Sequence, residues 1–253
     1  MVSTPESHPS DGGLHDTGAA REPLTLSSDA ADAFVVMPAF NEARGIADVV
    51  RHVLERFPRV VVVDDGSRDA TAGEARAAGA QVVRHPVNLG QGAALQTGMR
   101  WALASGARWI VTFDSDGQHD ADDAVRMVTL ARERDLDVVF GSRFLGATEG
   151  MPASRRLLLR AALVFQRLST GMRLSDVHNG LRVLSREAAS RIELRQNRMA
   201  HASEFVSQVA ALGLRFDEAP VTIRYSEYSL AKGQSSLGAI HILFDLLLAR
   251  LGR

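Results

Sequence analysis

The hydrophobic pattern of the chain alternates short β-branched runs with longer amphipathic segments from Phe34 onward. Five runs have the length and composition of buried strands: AFVVMP, RVVVVD, AQVVRH, RWIVTFD and LDVVFG, which begin at residues 33, 59, 80, 108 and 136. Between them, helical spacing of apolar positions recurs over Gly45–Phe57, Asp69–Ala78, Leu89–Ser105 and Asp122–Arg134. This alternation predicts an α/β fold with a single, mostly parallel sheet flanked by helices.

The regular alternation stops after Phe140, and the remaining pattern is mixed. Two helical stretches, Ser154–Thr170 and Ser236–Leu251, flank one more strand candidate at residues 219–225. On the first stretch, three arginines fall within about 40° of one another on a helical wheel, opposite an apolar face. We expect C-terminal amphipathic helices that lie in a membrane interface, although packing against the core explains the same pattern nearly as well. The apolar run Leu237–Leu251 is too short and too polar to span a bilayer.

The first 32 residues differ from the rest in composition. They are acidic, rich in Ser, Gly, Pro and Asp, and lack the apolar segment of a signal peptide. We therefore expect a disordered acidic tail at residues 1–32 and one domain at 33–253. We divide this domain into two halves, residues 33–142 and 143–253, near the point where the regular alternation stops.

Composition and charge narrow the possible functions. The 253 residues include no cysteine, which excludes disulfide frameworks, zinc fingers, iron–sulfur clusters and cysteine nucleophiles. The formal net charge of −1 gives no indication of a nucleic-acid partner. Residues 143–200, however, hold eleven arginines and four acidic residues, so we expect an anionic partner for this segment.

Acidic and turn-forming residues follow three of the predicted strands. The second strand ends in Asp64 and Asp65, and the fourth in Asp114 and Asp116. In open parallel sheets, ligands bind beyond the carboxyl ends of the strands. Helix capping explains one acid per strand end at most. Repulsion among the converging carboxylates would cost stability unless a cation or hydrogen-bond donors satisfied them, and a divalent metal ion is the simplest answer. Two carboxylates two residues apart, with the side-chain oxygen of Gln118, favour Mg²⁺ or Mn²⁺.

Two other interpretations of the DSDGQHD run are weaker. An EF-hand needs glycine at the sixth position, and here glycine is fourth. In a phosphohydrolase, the first aspartate of such a run is the nucleophile. That motif needs Thr or Val where Gln118 stands, and it normally opens the fold, whereas here the run closes the fourth strand.

Five ordered motifs resemble those of family 2 glycosyltransferases. They are MPAFNEA at 37–43, VVDDGSRDAT at 62–71, NLGQGAALQTGMRWA at 88–102, FDSDGQH at 113–119 and GSRF at 141–144. The likeness is greatest to dolichol-phosphate mannosyltransferases and bacterial polyprenyl-phosphate glycosyltransferases. DVHNGLRVLSREAA and QNRMAHASE further suggest a bacterial polyprenyl-phosphate hexosaminyl or hexosyl synthase.

The resemblance implies a GT-A fold and an inverting, metal-dependent transfer from a nucleotide-diphosphate sugar. It implies that Asp114, Asp116 and Gln118 hold the metal, Asp116 being the catalytic one, and that Ser115 lies at the sugar nucleotide. The residues implied around the base and ribose are Pro38, Phe40, Glu42, Val63 and Asp65, with Asp65 accepting a hydrogen bond from the base. Arg143 and Arg155, also implied to be catalytic, would bind the acceptor phosphate. Residues 33–142 would then form the nucleotide-sugar-binding half of the domain, and residues 143–253 the acceptor-binding and membrane-interface half. The acceptor side would further include Asp176, Asn179, Arg182 and, with a departure from the family's C-terminal motif, Lys232.

The class of acceptor determines whether the reaction needs a general base to deprotonate the attacking group. A polyprenyl phosphate is already ionised, whereas a sugar hydroxyl needs a general base, for which Asp176 and Glu204 are the only candidates in the later half. The acid pair and the Gln-x-x-Arg-Trp run of hydroxyl-transferring relatives are missing, which favours polyprenyl phosphate. The alternatives are transfer to a hydroxyl of a glycan or small molecule, and a scaffold that binds sugar nucleotides without catalysis. We expect a cytoplasmic enzyme, peripheral on the inner face of the cell membrane and anchored by a separate small membrane protein.

Overall fold

The computed structural model describes residues 30–149, 163, 167, 170–196 and 200–224. Several predictions fall outside them: the tail up to residue 29, Arg155, Lys232, the second predicted C-terminal helix, and all but three residues of the first. Those three, residues 163, 167 and 170, are helical. No helix within the described residues is long and apolar enough to cross a membrane.

Within the described residues, seven strands form one sheet. They are β1 (Ala33–Ala39), β2 (Val60–Asp64), β3 (Gln81–Arg84), β4 (Trp109–Thr112), β5 (Val138–Glu149), β6 (Arg182–Ser185) and β7 (Phe216–Arg224). Their order is β3-β2-β1-β4-β6-β5-β7. The pairs β1–β2, β1–β4, β2–β3 and β5–β7 are parallel, and only β6 runs antiparallel to its neighbours β4 and β5. The predicted mostly parallel sheet is confirmed.

Six helices accompany the strands in the described part of the chain. They are α1 (Ile46–Leu54), α2 (Thr71–Ala77), α3 (Gln91–Ala104), α4 (Ala121–Glu133), α5 (Arg186–Arg191) and α6 (Ala200–Ala211). The first four lie within the four helical segments predicted before Phe140, to within one residue. Strand β6 and helices α5 and α6 were not predicted. All three follow Phe140, where the regular alternation that identified the equally short strands β3 and β4 stops.

Two hydrophobic layers enclose the sheet. In β1, Val35 and Met37 face one layer, with α1 and α4, while Phe34 and Val36 face the other, with α3 and α6. Because strands covered on both faces bury every side chain, the predicted strands are continuous apolar runs. Helix α3 lies so close to the sheet that a Cβ atom at Gly98 would overlap the side chain of Val36.

The chain enters the domain through a short turn that belongs to the folded structure. Residues 30–32 lie in the predicted tail, yet Ala30 is buried and the Asp32 carboxylate forms an ion pair with Arg132. The ordered part of the domain therefore begins before β1.

The sheet topology determines where a ligand can bind. Strand β1 pairs with β2 on one side and β4 on the other, so the strand order reverses there and opens a crevice at the carboxyl ends of β1 and β4. Because β6 runs antiparallel to β4, with Arg182 paired to Thr112, the start of β6 lies at the carboxyl end of β4. The segment preceding β6 is thereby brought to the same edge as the β4 carboxylates.

Candidate active site

Asp114 and Asp116 lie in the turn that follows β4. The Asp116 carboxylate accepts hydrogen bonds from the backbone N–H of Gln118 at 3.1 Å and from its side-chain Nε2 at 2.8 Å. Gly117, between these residues, has a φ of 75°, a conformation that glycine adopts without strain. The Asp114 carboxylate contacts Gln91 Nε2 at 3.0 Å and His119 Nε2 at 3.2 Å.

The two carboxylates differ in their electrostatic surroundings. Burial and the nearby Asp114 charge raise the pKa of Asp116. Burial would also raise the pKa of Asp114, but the hydrogen bond to His119 and the charges of His119 and Arg182 outweigh it and lower that pKa. The pair is thus held in a repulsive arrangement that a positive ion at this edge would relieve.

The residues present fit a divalent metal ion in part. Carboxylate oxygens are the ligands that Mg²⁺ and Mn²⁺ prefer. No group of three or more His, Asp or Glu side chains in the described ranges is arranged to hold an ion, so Asp114 and Asp116 need further ligands from water and the donor diphosphate. The Gln118 side chain directs its amide nitrogen to Asp116, and its assignment as a ligand through oxygen stays a prediction.

Two arginines also line the site. Arg143, in the fifth motif GSRF on β5, is buried, and its Nε donates to Asp176 Oδ2 at 2.5 Å. Arg182 is also buried and stacks over the Phe205 ring at 4.5 Å from its centroid. Burial lowers the pKa of Arg182 to about 10, against the attraction of Asp114 and Asp176, so its guanidinium remains charged at neutral pH.

Acidic and basic groups meet in one pocket of about 170 Å³. Its lining includes five residues predicted from sequence: Asp114, Asp116, Gln118, Arg143 and Arg182. The sequence did not lead us to assign the other four polar lining residues, Gln91, His119, His178 and His201, to the site. All four stand inside the quoted motifs or next to them, which is the signal that could have identified them. Asp176 and Asn179 lie behind the pocket: Asp176 pairs with Arg143, and Asn179 Oδ1 accepts from the Leu181 N–H at 2.9 Å.

Several buried nitrogens around this pocket have no hydrogen-bond partner among the described residues. They are His119 Nδ1, His178 Nδ1, Asn179 Nδ2 and Arg182 Nε. Buried polar atoms are normally satisfied, so unpaired ones gathered at one pocket indicate a place where water or a ligand completes the network. Burial lowers the pKa of His178 to about 4, which keeps its ring neutral at pH 7.

The predicted nucleotide side is arranged differently from expectation. The Asp65 carboxylate accepts from His85 Nδ1 at 2.8 Å, the Leu89 N–H at 2.9 Å and the Gly90 N–H at 2.7 Å. It therefore anchors the loop that leads into α3, and a hydrogen bond from a nucleotide base, which stays a prediction, would be an additional one. Phe40 is 42% exposed at the end of β1, where a flat ring can pack against a ligand.

Four other residues of the predicted base, ribose and sugar contacts are buried. Pro38 and Val63 pair with each other at the carboxyl ends of β1 and β2 and are buried, and their contacts with a base and ribose stay predictions. Glu42 and Ser115 are 8% and 7% exposed, and their ligand roles stay predictions.

Comparison with known proteins agrees with the geometry. Residues 34–193 match the glycosyl transferase family 2. An uncharacterized protein of Methanocaldococcus jannaschii is 36% identical over 86% of this chain and 92% of its own length. The UDP-N-acetylglucosamine–dolichyl-phosphate N-acetylglucosaminyltransferase of Methanococcus voltae is 28% identical over 87% of this chain and 96% of its own.

The fold also matches a solved structure. Glucosyl-3-phosphoglycerate synthase from Mycobacterium tuberculosis, in complex with Mn²⁺, UDP-glucose and phosphoglyceric acid, superimposes with a TM-score of 0.69 at 23% identity, covering 92% of this chain and 86% of that one. The fold is thus the GT-A fold that the resemblance implied. With its strand order, its carboxylate pair after β4 and the match over residues 34–193, the chain belongs to glycosyltransferase family 2.

Proposed function

We propose that the protein transfers one sugar from a nucleotide-diphosphate sugar to polyprenyl phosphate, with inversion at the anomeric carbon and with Mg²⁺ or Mn²⁺ as cofactor. The observation that carries the proposal is the pocket itself. Its lining combines the carboxylates of Asp114 and Asp116 with the guanidinium groups of Arg143 and Arg182. A site of this kind suits two anionic reactants, one bound through a metal ion and one bound by arginine.

The carboxylate side is the proposed donor side. Bound by Asp114 and Asp116, the metal ion would supply the positive charge that stabilises the departing nucleoside diphosphate. Gln91 and His119 orient the Asp114 carboxylate through its two oxygens, and the Asx turn to Gln118 orients Asp116. These contacts place both carboxylates before a donor arrives, which reduces the reorganisation needed at reaction.

The arginine side is the proposed acceptor side. Guanidinium binds phosphate oxygens through paired N–H donors, and an acceptor phosphate is ionised at neutral pH, so that attack needs no general base. The two base candidates from the sequence are engaged elsewhere. The Asp176 carboxylate pairs with Arg143, and Glu204 accepts from the Arg195 and Gln196 N–H groups at 3.0 and 2.9 Å. Both observations favour a phosphate acceptor over a hydroxyl acceptor.

The relative from Methanococcus voltae supports this acceptor class, since its name specifies dolichyl phosphate. A polyprenyl chain resides in a membrane, and the arginine excess of residues 143–200 would attract anionic lipid. We therefore place the protein at the inner, cytoplasmic face of the cell membrane, where a separate small membrane protein would anchor it.

The test is product analysis with a panel of labelled sugar nucleotides. Each is incubated with Mn²⁺ and either polyprenyl phosphate in detergent, the corresponding free polyprenol, or soluble glycan acceptors. We expect an organic-soluble, mild-acid-labile sugar phosphate product with polyprenyl phosphate alone. Preferred transfer to a hydroxyl acceptor would replace the proposal by the alternative enzyme. If the protein neither transfers sugar from any of the sugar nucleotides nor hydrolyses them, the non-catalytic scaffold replaces the proposal.

A further inference from the structure

The mechanism above leaves unused a carboxylate on β7, that of Glu218. It is part-buried, and burial raises the pKa of this group. It does not line the active-site pocket. A part-buried carboxylate needs hydrogen-bond donors. Those of Glu218 belong to two consecutive residues, Ser175 and Asp176.

The contacts of Glu218 converge on the backbone of that segment. The Ser175 N–H donates to both carboxylate oxygens, each at 2.8 Å, and the Ser175 hydroxyl donates to Oε1 at 2.8 Å. The Asp176 N–H donates to Oε1 at 3.2 Å. Ser175 Oγ is also 2.5 Å from Ser142 Oγ on β5. The segment is therefore attached to two strands of the sheet immediately before it reaches the pocket.

Asp176, in the same segment, is hydrogen-bonded to Arg143. Its Oδ2 accepts from both the backbone N–H of Arg143, at 3.2 Å, and the side-chain Nε, at 2.5 Å. The Arg143–Asp176 ion pair is almost fully buried, with side-chain exposures of 7% and 1%. An arginine held through Nε keeps its guanidinium plane in one orientation, so the placement of Asp176 decides where the charge of Arg143 points.

We infer that Glu218 is a positioning residue for the acceptor side of the reaction, acting through Ser175 and Asp176 on the guanidinium of Arg143. The inference rests on the proposed function for the identity of the acceptor, but not for the contact it describes. Its physical basis is preorganisation, since a displacement of about 1 Å in a group that binds a reactant can lower a rate on the order of a hundredfold.

Two substitutions separate geometry from charge. Oε1 accepts from Ser175 N, Ser175 Oγ and Asp176 N, while Oε2 accepts only from Ser175 N, and a glutamine retains one oxygen that can take the place of Oε1. We expect Glu218→Ala to lower kcat/KM for the acceptor at least about tenfold and Glu218→Gln to stay within about threefold of wild type. The matched control is Asp217→Asn on the same strand, which removes one negative charge from a residue paired with Arg134, outside the pocket. It should behave as wild type.

One readout does not depend on the acceptor. The Nε–H proton of Arg143, assigned by its loss in Arg143→Lys, should exchange slowly with solvent in the wild type, because it is buried and hydrogen-bonded. In Glu218→Ala its exchange should be at least about tenfold faster, while the nucleoside diphosphate Kd in Mn²⁺ and the slow hydrolysis of donor stay within about twofold. If Glu218→Ala does not fold, Ser175→Ala, which removes only the hydroxyl contacts, should show the same changes in smaller size.

Unchanged Nε–H exchange in both variants would overturn the inference, and so would an equal loss of donor binding, donor hydrolysis and acceptor transfer. Faster exchange in variants of an enzyme that does not use polyprenyl phosphate would support the contact and refute only the proposed acceptor.

Discussion

The backbone of Gly180 lies directly against the carboxylate of Asp114, so closely that a Cβ atom at position 180 would overlap both carboxylate oxygens. The contact joins the turn after β4 to the segment before β6. It is supported by a hydrogen bond from Thr112 Oγ1 to the Gly180 carbonyl oxygen at 2.6 Å. Gly180 therefore determines how closely the carboxylate of Asp114 and the segment before β6 can approach one another.

This contact makes a small substitution informative. In Gly180→Ala, the Asp114 carboxylate must move, so we expect the affinity for Mn²⁺ with nucleoside diphosphate to fall at least about tenfold, measured by calorimetry. The control is Gly73→Ala on α2, where a Cβ has nothing within 4 Å. That variant should bind as wild type. Equal affinities in the two variants would contradict the role assigned to this contact.

Removing the charge of Asp116 should separate activity from stability. We expect Asp116→Asn to lower turnover at least about a hundredfold, because a charged metal ligand is lost. The melting temperature should not fall, since burial and the Asp114 charge already disfavour the ionised form. Asp48→Asn, at an exposed position on α1, is the matched control, with activity expected at the wild-type level. Full activity of Asp116→Asn would rule out the metal assignment.

The planar guanidinium of Arg143 should matter more than its charge. We expect Arg143→Lys to impair transfer to polyprenyl phosphate nearly as much as Arg143→Ala, because lysine lacks the Nε–H that pairs with Asp176 and the paired donors that bind phosphate. Donor binding and donor hydrolysis should change little in both. Measuring all three quantities on the same preparations checks this, and transfer at wild-type rate by both variants would refute the acceptor assignment.

The pKa of His178 predicts a pH dependence of stability. Its folded value of about 4 lies below its unfolded value of 6.5, so the unfolded chain binds the proton more tightly between these values. The contribution of the neutral His178 ring to the free energy of unfolding is therefore complete above pH 6.5. It is lost as the pH falls toward 4, by about 3 kcal/mol in total. Urea unfolding at pH 7.5 and pH 4.5 should therefore show a smaller stability loss in His178→Gln than in the wild type. A stability loss of the same size in both proteins would contradict the role assigned to His178.

The N-terminal boundary can be tested by truncation. Removal of residues 1–29 should change the melting temperature by no more than about two degrees, as expected for a disordered tail. Removal of residues 1–32 should lower it further, because Ala30 is buried and Asp32 pairs with Arg132. Scanning calorimetry of the two truncated proteins measures the difference. Identical melting temperatures would show that the turn at residues 30–32 contributes nothing.

The first half of the fold, and the place of Asp114 and Asp116 at the carboxyl end of β4, could be predicted from the sequence. Strands β1 and β2 are buried over their whole length and leave continuous apolar runs that can be recognised locally. The regular alternation of such runs with periodic helical segments identified the shorter strands β3 and β4. Asp114 and Asp116 could be assigned because the carboxyl ends of parallel strands share one edge of the sheet, so a residue's place after a strand already indicates its neighbours.

The tertiary structure alone decided which side chains meet across the pocket. Strand β6 lies outside the regular alternation of strands and helices by which the equally short β3 and β4 were recognised. Its antiparallel insertion between β4 and β5 brings Gly180 to Asp114 and Arg182 to the edge of β4. The Asp65 contacts to residues 85–90 and the Glu218 contacts to Ser175 join positions more than 19 residues apart. Such pairings depend on strand order and on the packing of both layers, and no local pattern of residues records them.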